Sequence, residues 1–100
     1  MIDVSAEEKQ IILNILNRYV SGRQVMALGS RVTNNAKPYS DLDLAIMGDT
    51  PLDMQTLALL KDAFAESDLP YRVDILQWCQ TSPEFKKTIQ PQLQTFRQAS

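Results

Sequence analysis

The chain has 100 residues, 44% of them hydrophobic, and a net charge of −2. That is enough apolar content for one small core, and the acid excess argues against direct nucleic-acid binding, which needs a basic face. One Cys and no His exclude a disulfide framework and a His- or Cys-rich zinc site, so any chemistry must run on carboxylates, hydroxyls and cations.

Ser5 and Glu8 have capping-box spacing, and Ile12, Ile15, Leu16 and Tyr19 follow at helical intervals. These predict a first helix over residues 5–20, ended by Ser21-Gly22. Gln24 to Leu28 is a short apolar run between turn residues and reads as a buried strand. Gly29-Ser30 closes it. A glycine there lets the backbone approach a ligand closely, and the Ser30 hydroxyl with nearby N–H groups could hold phosphate oxygens; an ordinary turn uses the same residues. Arg31 and Lys37 are the cations of the loop that follows, suited either to solvent or to a phosphate tail. Asn34-Asn35 favours a left-handed turn, and Pro38 limits helix before it.

Asp41 to Met47 reads as a second strand. Alternation sets Leu42, Leu44 and Ile46 on one face and Asp41, Asp43 and Ala45 on the other. Two like charges on one face repel, and a divalent cation between them turns that repulsion into a site. Thr50 as cap with Pro51 at the first helical position predicts a second helix over residues 51–67, with Leu57, Leu60 and Phe64 as its apolar face. Tyr71 to Gln77 alternates again. If Val73 and Ile75 join Leu42, Leu44 and Ile46 in the core, Asp74 joins Asp41 and Asp43 on the opposite face, together with Arg72. Trp78 reads as core or interface, and Cys79 has no partner His. Ser82-Pro83-Glu84 opens a last helix with a stripe of Phe85, Ile89, Leu93 and Phe96, which Pro91 kinks or ends.

Gly29-Ser30, ten intervening residues and Asp41-Leu42-Asp43 resemble the Gly-Ser-x10-Asp-x-Asp signature of the DNA polymerase β-like nucleotidyltransferases. Asp74, in a later strand, matches their third carboxylate. The size and the Ser40-to-Ile46 run look most like the minimal nucleotidyltransferases (MNT), often the antitoxin half of HEPN/MNT toxin–antitoxin pairs. The resemblance implies an α/β (α+β) fold: a small mixed sheet with helices on one face and the acids open on the other, residues 1–100 forming a single domain. It implies that Asp41, Asp43 and Asp74 hold two Mg²⁺ ions and are catalytic, and that Gly29 and Ser30 hold the phosphates of ATP or another NTP. The expected reaction moves AMP to a hydroxyl, by resemblance a Tyr of a HEPN partner. The alternatives are a weak or inactive antitoxin acting by contact alone, and transfer to a small molecule, which the short chain disfavours.

The sequence departs from the family's Gly-Ser-x-Ala-Arg-Gly pattern at Val32-Thr33-Asn34. The missing cation at position 33 weakens triphosphate binding unless Arg31 and Lys37 compensate. No apolar run reaches spanning length and no leader is evident, so the expected setting is cytoplasmic, without a membrane and with the possibility of an oligomer formed with the partner.

Overall fold

The computed structural model describes residues 2–99. Its elements are α1 (Ala6–Tyr19), β1 (Val25–Leu28), β2 (Leu42–Ile46), α2 (Met54–Ala65), β3 (Val73–Gln77), α3 (Pro83–Ile89) and β4 (Gln94–Arg97). The four strands form one sheet in the order β3-β2-β1-β4. β1 runs antiparallel to β2 and to β4, while β2 and β3 are parallel. A parallel pair cannot be joined by a tight turn, and α2 carries the crossover. The mixed α/β fold expected from sequence is the fold observed.

The sheet alternates as its sequence alternates. Leu42, Leu44 and Ile46 face Ile12 and Leu16 of α1 and Leu60 and Phe64 of α2 in the main core. Each fully buried aliphatic side chain there contributes about 1.5–3 kcal/mol. A second, smaller cluster on the other face joins Leu28 and Ala45 to Ile89, with Trp78 and Leu93 packed against it. The short α3 therefore covers part of the face that also carries the carboxylates. Trp78 serves packing, with the Lys86 ammonium 5.2 Å from its ring centre.

Three local expectations meet different outcomes. The Ser5–Glu8 capping box forms, with Glu8 N–H donating to Ser5 Oγ at 3.1 Å and Ser5 N–H to Glu8 Oε1 at 3.0 Å. The second helix starts later than Thr50 and Pro51 predict. Asp53 is its cap, accepting from Thr56 N–H at 2.8 Å, and a carboxylate caps better than a threonine hydroxyl. Thr50 is instead tied to Arg23, whose guanidinium donates to the Thr50 carbonyl at 2.8 Å. The last helix stops at Ile89, because Pro91 has no N–H to continue it. Beyond it lies β4, a strand that the helical reading of the Phe85-to-Phe96 stripe missed. Phe96 accordingly joins the main core, whereas Ile89 belongs to the second cluster. Among the described residues, no helix is long and apolar enough to cross a membrane.

Candidate functional site

The site is built where β1 and β2 face each other at the end of their ladder. Leu28 pairs with Asp43, and Asp43 pairs with Asp74 across the parallel β2–β3 ladder. Parity sets both carboxylates on the face opposite the main core, as the alternation of the two strands predicts. Gly29 follows Leu28 with φ +86°, a left-handed conformation that glycine adopts without strain. A Cβ at Gly29 would collide with the Asp43 carboxylate, so the glycine is required twice, for its backbone and for the approach of the acid.

The electrostatics of the cluster are those of crowded like charges. Partial burial pushes the Asp43 carboxyl above the ordinary aspartate value, and the negative charges of Asp74 and Asp41 push it further. Arg72 is the counter-charge, with its guanidinium 3.1 Å from Asp74 Oδ1 and 3.8 Å from Asp41 Oδ2. Beside the acids lies an open cleft of about 280 Å³, lined by Leu28, Asp43, Asp74, Ile75, Leu76 and Phe85. Phe85 is 45% exposed at its rim.

Three carboxylates offer hard oxygen donors, the set that suits Mg²⁺, and the raised pKa of Asp43 marks a place where a cation would be stabilising. The donors fit the ion in kind. Among the described residues, no group of three acidic, His or Cys side chains is already drawn together as a ready cage, and Arg72 stands among the acids.

The loop after Gly29 is a run of turns. Val32 N–H donates to the Gly29 carbonyl at 3.0 Å and Asn35 N–H to the Ser30 carbonyl at 3.1 Å. Asn34 takes φ 63°, so it supplies the left-handed position that the family pattern gives to glycine. The Ser30 hydroxyl makes no hydrogen bond among the described residues. Gly29 N–H donates to Gln92 Oε1 at 2.5 Å, a partner from the turn before β4 that sequence reasoning did not single out. No local pattern marks a contact between residues 63 positions apart.

The two loop cations differ from expectation. Arg31 is 4% exposed. Its guanidinium donates to the carbonyls of Ser40 (2.8 Å), Asp3 (2.8 Å) and Pro38 (3.0 Å), and stacks 3.8 Å from the ring centre of Tyr71. It clamps the loop to the chain before α1, with its guanidinium turned to backbone carbonyls. Tyr71 in turn donates to Glu8 Oε1 at 3.0 Å, and burial with that acid pushes its phenol well above the usual tyrosine value. Lys37 is exposed and lines a separate groove with Arg31, Tyr39 and Tyr71, outside the carboxylate cleft. The structure thus brings together Gly29, Asp43 and Asp74, with Asp41 joined through Arg72, and leaves Arg31 and Lys37 apart from them.

The Polymerase beta, Nucleotidyltransferase family matches residues 10–95. A protein of Haemophilus influenzae named probable protein adenylyltransferase MntA is 50% identical over 88 residues, covering 88% of this chain and 77% of that protein. A toxin–antitoxin crystal structure with AMP-PNP matches with a TM-score of 0.74 at 20% identity, covering 90% of this chain and 73% of that one. A complex of tri-AMPylated Shewanella oneidensis HEPN toxin with MNT antitoxin matches with a TM-score of 0.64 at 18% identity, covering 90% of this chain and 69% of that one. Both structures share the fold. The span of the family match and the likeness to MntA show that this chain belongs to the polymerase beta nucleotidyltransferases, in the family of the protein adenylyltransferase MntA.

Proposed function

We propose that this chain is a Mg²⁺-dependent adenylyltransferase that moves AMP from ATP to a tyrosine hydroxyl of a HEPN-domain toxin, and so acts as its antitoxin in the cytoplasm. The observation that carries the reading is the pairing of Asp43 with Asp74 across β2 and β3, with Gly29 packed directly on the Asp43 carboxylate. That arrangement puts an acid pair against a glycine turn, as nucleotidyl transfer needs. The relative named MntA supports protein as the acceptor, and the toxin–antitoxin structures support a HEPN partner.

In this reading Asp41, Asp43 and Asp74 hold the metal. Two Mg²⁺ ions, when bound, would neutralise charge on the triphosphate and make the acceptor hydroxyl a better nucleophile. The chain's own residues do the positioning. Gly29 and Ser30 hold the phosphate tail through the turn's N–H groups and the serine hydroxyl. Lys37, exposed on the same loop but lining a separate groove, reaches that tail only by turning its side chain toward the cleft. Leu28, Leu76 and Phe85 offer an apolar wall on which an aromatic acceptor ring can rest, with its hydroxyl toward the acids. The hydroxyl oxygen attacks the α-phosphorus, its proton passes to Asp74, and the bond to the β-phosphate oxygen breaks to release pyrophosphate. Residues 1–100 act as one unit, and the partner completes the walls of the open cleft.

Intact-mass measurement of the HEPN partner after incubation with the chain and Mg-ATP tests this directly. The expected result is an AMP increment on the partner that Asp43→Ala abolishes; an undiminished increment with Asp43→Ala would contradict the assignment. The commitment of Arg31 to carbonyls, with no arginine at position 33, favours a second reading in which catalysis is weak and the toxin is neutralised by contact. Under that reading Asp43→Ala still protects cells from the toxin, and a change at the exposed Phe85 does not.

A further inference from the structure

We propose that Arg72 is a displaceable counter-ion that competes with the divalent cation for Asp41 and Asp74 and thereby sets the metal affinity of the site. The inference rests on the carboxylate reading above and adds a positioning residue to it.

Three observations carry it. First, the guanidinium reaches both acids at once, at 3.1 Å from Asp74 and 3.8 Å from Asp41, and these are the only ion pairs among the described residues. Second, its side chain is 77% exposed. No packing holds it over the cluster, so the attraction of the acids does, and a flexible exposed arginine can leave at little cost. Third, it is the one cation paired with these acids among the described residues: Arg31 is buried against carbonyls and Lys37 lies on another groove. The Arg72 backbone is fixed, since its carbonyl accepts from Leu42 N–H at 2.9 Å beside Asp41. The side chain therefore pivots from a fixed point next to the acids. With no metal bound, it relieves the repulsion between carboxylates and keeps them on one side. A dication that replaces it gains the same acids, after breaking two exposed ion pairs and accepting a nearby positive charge.

The test is calorimetric titration of the purified chain with Mn²⁺, without nucleotide. Arg72→Gln is expected to bind Mn²⁺ roughly fivefold to tenfold more tightly than the unaltered chain, the scale of an exposed pair plus one unit charge removed. Arg72→Lys is expected to lie near the unaltered chain. Lys9→Gln, which removes an equal charge from α1 on the opposite face of the sheet, controls for net charge and is expected to change little. Equal or weaker Mn²⁺ binding by Arg72→Gln overturns the inference, as does an equal tightening by Lys9→Gln. If the unaltered chain binds Mn²⁺ and Asp43→Asn does not, the carboxylate reading stands whatever Arg72 does. If neither the unaltered chain nor Arg72→Gln binds Mn²⁺, that reading falls and takes this inference with it.

Discussion

The two faces of β2 come from alternate residues of one five-residue strand, yet they do opposite work. Leu42, Leu44 and Ile46 are sealed under α1 and α2, where burial is the whole contribution. Asp43, between them in sequence, points into an open cleft against other acids and carries a raised pKa. The first face stabilises the fold, and the second draws on that stability to hold like charges together. A substitution on one face is therefore expected to change stability and on the other activity, with little crossover.

The largest expected effect is on the acidic face. Asp43→Asn is expected to lower the rate of AMP transfer by on the order of a thousandfold, read from the time course of product formation. The same variant is expected to keep or raise Tm at neutral pH. A carboxyl whose folded pKa lies above its unfolded value is most favourable to the fold below the unfolded pKa. That advantage is lost as pH rises through the folded pKa. Neutralising Asp43 removes the penalty at pH 7 and changes nothing well below the ordinary aspartate value, so the gap in Tm between variant and unaltered chain is expected to close as pH falls from 7 to 3. A constant gap would mean that ionisation of the half-buried Asp43 is not the cause.

Next in size is Leu44→Ala on the sealed face. It is expected to cost about 2–5 kcal/mol by urea unfolding, through lost burial and the cavity left behind, while the molecules that remain folded keep their rate. Smaller again is Arg31→Ala. It strands the carbonyls of Asp3, Pro38 and Ser40, and is expected to cost about 2–3 kcal/mol. If Arg31 held nucleotide instead, the variant would raise the KM for ATP with stability unchanged.

Much of this was legible in the sequence because β alternation is strict. The period of two at Asp41–Ile46 and Arg72–Leu76 predicts the shared core face and the common side of Asp41, Asp43 and Asp74, while the pairing of Asp43 with Asp74 depends on a register that alternation leaves open. The Ser5–Glu8 box was legible because its partners are three residues apart. What escaped depends on distance along the chain. β4 is four residues long, and its apolar positions also fit a helical stripe until Pro91 ends the helix. Gln92 reaches Gly29, and Tyr71 reaches Glu8, across 63 positions each, so no local pattern announces them. The burial of Arg31 was invisible for the same reason: a cation beside a glycine turn reads alike whether it faces phosphate or backbone carbonyls.

Label carried on the α-phosphate of ATP is the sharpest probe of nucleotidyl transfer through Asp43. With Mg²⁺ and the HEPN partner, this label is expected to become covalently attached to the partner with release of an equal amount of pyrophosphate, and Asp43→Asn is expected to yield neither. Label transfer by Asp43→Asn at the rate of the unaltered chain, or transfer from the γ-phosphate instead, would contradict it.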